Sequence, residues 1–174
     1  MPGTQAAGPS TKLCTISAVR EIIVVCYGNI CRSPMGEVLL QQALDQRFGP
    51  GEFLVTSAGI GADDGRPPSQ GTIKALAQRG FDVRSLRSTY LTPRLARNAW
   101  RIYCMEDYQI NHVRMMLDAG AGDRVMLFAG EEVPDPLGSA QQAYDNVALQ
   151  IERLLPHVVD EIGAAIAAEG DRTG

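Results

Sequence analysis

Lysine is almost missing from this sequence: Lys12 and Lys74 are the only two, and every other basic residue is arginine. Positive charge as a whole is also short, with 16 basic against 20 acidic residues and a net charge of −4. The isoelectric point is near 5.2. That balance excludes the basic footprint of a nucleic-acid partner. No apolar run approaches the roughly 18 residues of a membrane span, so no membrane partner is expected. The N-terminus, M-P-G-T-Q-A-A-G-P-S-T, lacks a charged start followed by an apolar core and does not read as a secretory signal. Its Pro, Gly and Ser content reads as a disordered extension over residues 1–17. Cysteine is scarce as well. Cys14, Cys26, Cys31 and Cys104 are too few and too irregularly spaced for a disulfide framework, and His112 and His157 stand far from any cysteine pair that could share a zinc ion. The expectation is a reducing, cytoplasmic setting.

What is present fits one domain, residues 18–174, with a single sizeable core. Glu21 to Cys26 (E-I-I-V-V-C) is a continuous β-branched run, as in a strand buried on both faces. Ser33-Pro34 marks a helix start, with Ser near the N-cap and Pro at the first helical position, and Gly49-Pro50 marks its end. Phe53 to Ser57 reads as a second strand, Ala58 to Pro68 as a loop, and Ser69 to Arg79 as a helix closed by Gly80. Thr92-Pro93 opens a short helix, Trp100 to Met105 is a third strand, Glu106 to Asp118 a helix, and Arg124 to Phe128 a fourth strand. Val147, Ile151, Leu155, Val158 and Ile162 form the stripe of a last helix, which Pro156 is expected to kink or locally break. Strands alternating with helices predict an α/β fold: a single doubly wound domain whose four-stranded parallel sheet carries helices on both faces. The strand order expected for it is 2-1-3-4.

The turn after the first strand reads V-V-C-Y-G-N-I-C-R-S-P. In an open α/β sheet the first strand-to-helix turn is the favoured phosphate site, because the helix N-terminus presents unpaired N–H groups to an anion. Gly28 and Asn29 are residue types that tolerate the positive φ of a tight anion-binding loop. Arg32 can pair with two phosphate oxygens at once, which lysine cannot. An isolated cysteine at a strand end is more often a core residue. Cys26 differs in having an arginine six residues on, Gly and Asn between them, and a helix start beyond. Such surroundings lower a cysteine pKa from about 8.5 to roughly 3.5–7.5, which makes the sulfur a nucleophile. Ser33 can then donate a hydrogen bond to the thiolate. Cys31 has the simpler reading of a residue that fills space beneath the loop.

The string C-Y-G-N-I-C-R-S-P followed by Met-Gly-Glu resembles the signature of the low-molecular-weight protein tyrosine phosphatases. V-P-D-P (Val133 to Pro136), T-S-A-G (Thr56 to Gly59) and C-M-E-D (Cys104 to Asp107) are also similar to family segments, so the likeness runs from Glu21 to the end. It implies that Cys26 attacks phosphorus in line to form a cysteinyl-phosphate. Arg32 and the backbone of Tyr27, Gly28, Asn29, Ile30 and Cys31 would hold the phosphoryl oxygens, with Ser33 beside the thiolate. Asp135 would protonate the leaving oxygen and then activate water. Ile30 and Leu137 would wall the substrate, and Cys31 would be a redox partner for Cys26. No metal and no cofactor is implied. The expected partners are a phosphorylated protein or small aryl phosphate, with inorganic phosphate or vanadate as competing ligands.

Three positions depart from the family pattern. Leu137-Gly138 follows Asp-Pro where aromatic residues are usual, no histidine stands between Phe81 and Thr92, and Glu106 replaces a common Asp. The rival readings are a protein arginine phosphatase of the same fold, an arsenate reductase, and a phosphopeptide-binding module without turnover. The first usually carries Thr where this chain has Ile30, although its Asp-Pro loop can also continue with an apolar residue and Gly. The second needs two further downstream cysteines where only Cys104 is available, and the third would lack the nucleophile or the acid.

Overall fold

A computed structural model describes residues 19–171. The expected N-terminal extension, residues 1–17, lies outside the described residues, as does Cys14. Four strands, β1 (Arg20–Cys26), β2 (Phe53–Gly59), β3 (Arg101–Cys104) and β4 (Val125–Leu127), form one sheet in the order β2-β1-β3-β4. All three pairings are parallel, so the doubly wound architecture is as expected. β1 occupies the middle, and its β-branched run serves both faces. Ile22, Val24 and Cys26 point into a core with Met35, Leu40, Leu76 and Ile151, whereas Ile23 and Val25 point into a second core with Ala96, Ile102 and Val113. The first core is covered by α1 (Arg32–Phe48), α2 (Gln70–Ala77) and α5 (Gln141–Gly170), the second by α3 (Pro93–Asn98) and α4 (Asp107–Met115).

Most helix ends follow their local chemistry. Ser69 Oγ accepts the Thr72 N–H ahead of α2, Thr92 Oγ1 accepts the Leu95 N–H ahead of α3, and the chain leaves α2 through Gly80 at φ 84°. Three ends differ from expectation. α1 already begins at Arg32, so Pro34 is its third residue, and Ser33 does not cap it because its hydroxyl is engaged in the preceding loop. α4 ends at Met115, short of Asp118, as the chain turns at Gly120 (φ 92°). α5 runs through Pro156 without the expected break. Pro156 is exposed, so its ring and the hydrogen bond it cannot make lie on the outer face of the helix, while Leu154, Val158 and Val159 stay buried around it.

Candidate active site

The carboxyl end of β1 delivers Cys26 to the edge of the sheet, and α1 starts six residues later at Arg32. Cys26, Tyr27, Gly28, Ile30, Cys31, Arg32, Asp135 and Leu137, all expected from the sequence, line one cleft of about 210 Å³. Asn29 and Ser33 are buried beneath it. Cys31, the residue before α1, makes no side-chain cap, so its first-turn amides remain available to an anion. Asn29 is the loop residue with positive φ, at 53°; Gly28 stays outside that region and contributes instead by presenting no side chain to the cleft.

A hydrogen-bond chain orients the sulfur. The Thr89 N–H donates to Asn29 Oδ1 at 2.7 Å, which fixes the amide so that Nδ2 donates to Ser33 Oγ (2.9 Å) and Ser57 Oγ (2.8 Å). Ser33 Oγ also lies in hydrogen-bond contact with Cys26 Sγ, 3.0 Å away, and donates to it when the sulfur is a thiolate. The Asn29 N–H donates to the same sulfur at 3.3 Å. Ser57 in turn donates to Glu37 on α1, whose carboxyl burial pushes up in pKa against the opposing pull of that hydrogen bond. Gly59 lets β2 approach this loop: a Cβ there would overlap the Tyr27 carbonyl and lie 2.9 Å from Asn29 N. The loop therefore rests on Ser57, Gly59 and Thr89, in a chain that carries no histidine between Phe81 and Thr92.

Arg32 is 1% exposed. Nη1 donates to Glu106 Oε2 (2.6 Å) and to the Val133 carbonyl (3.0 Å), and Nη2 donates to Asp135 Oδ2 (2.9 Å). Burial works against the charge, but the hydrogen bond to Glu106 and the nearby Cys26 and Asp135 outweigh it, leaving the guanidinium pKa above its ordinary value. Arg32 Nε is buried with no hydrogen-bond partner among the described residues. Glu106 thus holds Arg32, while the neighbouring Asp107 donates its backbone N–H to Glu132 Oε1 at 2.9 Å. The V-P-D-P segment is pinned by the Val133 N–H to the Met105 carbonyl at 2.8 Å, which sets Asp135 over the loop. Asp135 is closed into a turn by the Leu137 N–H on Oδ1 at 3.1 Å. Leu137 itself is 57% exposed at the rim.

Cys31 is buried and donates to Ser69 Oγ at 3.3 Å. Burial pushes its thiol pKa up, and the nearby Asp135 and Cys26 act in the same direction against the hydrogen bond to Ser69. Glu37, Ser57, Thr89, Asp63 and Arg66 belong to the site or its support and were not singled out as individual residues by sequence reasoning. Ser57 lies within the T-S-A-G segment and Glu37 within Met-Gly-Glu; Thr89, Asp63 and Arg66 carry no local signal.

Residues 21–168 match the family described as low molecular weight phosphotyrosine protein phosphatase. The chain is 34% identical over 137 residues to the probable low molecular weight protein-tyrosine-phosphatase EpsP of Ralstonia solanacearum, covering 78% of this chain and 90% of that one. Among solved structures it is similar to the tyrosine phosphatase Wzb of Escherichia coli K30 in complex with sulphate, at TM-score 0.73 and 29% identity over 83% of this chain and 99% of Wzb. The arginine phosphatase YwlE of Geobacillus stearothermophilus shares the fold at TM-score 0.74 with 24% identity, covering 84% of this chain and 94% of YwlE.

Proposed function

The chain belongs to the low molecular weight phosphotyrosine protein phosphatases and is a cysteine-dependent phosphotyrosine phosphatase, and on that premise we propose that Cys26 is its nucleophile, Arg32 its phosphate clamp and Asp135 its general acid and base. The Cys26 thiolate attacks phosphorus opposite the ester oxygen, and the S–P bond forms as the P–O bond breaks. Asp135 gives its proton to the departing phenolic oxygen. Arg32 Nε and the amides of residues 27 to 32 take the equatorial oxygens, whose charge the site meets without reorganisation. Water, losing its proton to the Asp135 carboxylate, then attacks phosphorus; the thiolate leaves, stabilised by the Ser33 hydroxyl and the Asn29 N–H.

The observation that carries this assignment is the unpaired Nε of Arg32, buried in a cleft whose floor is Cys26. Glu106, Val133 and Asp135 take both N–H groups of Nη1 and one of Nη2, so the guanidinium is preorganised and the Nε N–H and the second Nη2 N–H are left for an oxyanion. The thiol chemistry needs a reduced Cys26, which supports a reducing, cytoplasmic setting for the enzyme. Cys31 shares the cleft and is proposed as the partner that traps an oxidised Cys26. The whole of residues 18–174 is proposed to act as one catalytic domain, with residues 1–17 as an extension. Hydrolysis of p-nitrophenyl phosphate tests the assignment. Turnover in the wild type should be lost in Cys26→Ser while vanadate still binds; full activity in that variant overturns it.

A further inference from the structure

Arg66 lies in the loop between β2 and α2, at the mouth of the cleft. The loop is fastened to the phosphate loop at its start, by the Ile60 N–H on the Cys26 carbonyl (3.1 Å) and the Gly61 N–H on the Tyr27 carbonyl (3.0 Å). Gly61 also seats the Tyr27 ring, since a Cβ there would stand 2.6 Å from Tyr27 Cζ. At its other end one buried residue, Ser88, holds it. Ser88 N–H donates to the Arg66 carbonyl (2.8 Å), Ser88 Oγ accepts the Arg66 N–H (2.9 Å) and donates to the Asp63 carbonyl, and the Ser88 carbonyl accepts the Gly65 N–H (2.8 Å). The backbone of Arg66 is therefore tied through both its N–H and its carbonyl, and its side chain swings from a fixed point.

That side chain is 59% exposed and pairs with Asp63, itself 81% exposed, at 3.5 Å. Among the described residues lining the cleft only Arg32 and Arg66 are basic, and Arg32 is committed to its floor. We propose that Arg66 is a specificity-determining residue that pairs with an acidic side chain next to the phosphotyrosine of the substrate, displacing Asp63. The inference rests on the phosphatase reading above and deepens it. The Asp63 pair is loose and solvated, so exchanging its carboxylate for one from the substrate costs little. Guanidinium offers two parallel donors to such a carboxylate. The gain is that of an exposed ion pair, about two- to five-fold in kcat/KM.

The test compares phosphotyrosine peptides that differ only by Glu or Gln beside the phosphotyrosine. Wild type should favour the Glu peptide about two- to five-fold at low ionic strength, and salt near 1 M, where the Debye length is about 3 Å, should erase the preference. Arg66→Gln should bring the ratio to unity, and Asp63→Asn, which removes the competitor, should raise it. A wild type that turns over both peptides equally, an Arg66→Gln variant that keeps the preference, or one that loses activity on both peptides in parallel overturns this inference and leaves the phosphatase reading standing. A wild type inactive on every phosphotyrosine peptide and on p-nitrophenyl phosphate overturns both.

Discussion

Arg32 Nη2 donates to Asp135 Oδ2 at 2.9 Å, so the two charged side chains that flank the Cys26 sulfur hold one another in place. Removing the carboxylate has two separable consequences. Asp135→Ala should lower kcat by about 10²–10⁴ for phosphotyrosine, whose leaving oxygen needs a proton, and by less for p-nitrophenyl phosphate. It also frees Nη2 for an oxyanion, so vanadate should bind at least as tightly as to wild type. Steady-state rates over a series of aryl phosphates, with vanadate inhibition measured alongside, check both. An equal loss across all leaving groups would remove Asp135 from the role of acid.

Cys31 sits in the same cleft as Cys26 with its thiol protonated and hydrogen-bonded to Ser69. In the proposed role of Cys31, peroxide would oxidise the Cys26 thiolate to a sulfenic acid, and attack by the Cys31 sulfur would form the disulfide and release water. Inactivation by peroxide should therefore be reversed by dithiol in wild type and remain largely irreversible in Cys31→Ala. Equal recovery in both proteins would leave Cys31 with a packing role only.

Glu37 gives a pH dependence of stability. Burial raises its carboxyl pKa in the folded protein, so the folded state favours the protonated form. The stabilisation this brings is present below the ordinary carboxylate pKa of about 4.3 and is lost as pH rises through the higher folded value. Glu37→Gln keeps an acceptor for Ser57 and cannot ionise. Its Tm should rise relative to wild type as pH increases from about 4 to 7. Glu161, whose pKa is also raised by burial, is common to both proteins and cancels in the difference. A difference that stays constant across this range would show that Glu37 ionises as freely in the folded protein as in the unfolded one.

Ile30 and Leu137 face the space above the phosphate loop as apolar walls. A phosphotyrosine ring is content there, whereas a phosphoarginine guanidinium would lose hydration against Ile30 with little returned. The wild type should prefer phosphotyrosine, and Ile30→Thr, which removes a terminal methyl and puts a hydroxyl in the wall, should shift the kcat/KM ratio toward phosphoarginine by about tenfold, the worth of one recovered hydrogen bond. A wild type that prefers phosphoarginine would show that this position does not set the choice.

What was legible in the sequence was local. The β-branched run of β1, the loop from Cys26 to Ser33 and the start of α1 are contiguous, so their chemistry could be read as one unit, and the parallel, helix-covered sheet followed from strict alternation. Asp135 was legible only through its pairing with that loop, since Asp-Pro alone suits any turn. The supporting shell was not legible because its bonds join distant segments. Thr89 reaches Asn29 through a backbone N–H, which no side chain advertises, and Glu106 reaches Arg32 across 74 residues. Ser33 was misread as a cap for a related reason: the same hydroxyl serves helix N-termini and thiolates, and here Asn29 and Cys26 take it. Of the kink or local break expected at Pro156, the break is absent, because sequence alone does not say which face of the helix the proline occupies.

The central claim is that the phosphoryl group passes through Cys26. Rapid acid quench of the wild type during turnover of an aryl phosphate, followed by peptide mapping, should find one phosphoryl group on the Cys26 sulfur. Its level should rise in Ser33→Ala, which slows departure of the thiolate. Turnover with no phosphorylated Cys26 in either protein, or with the phosphoryl group on another residue, would contradict the account.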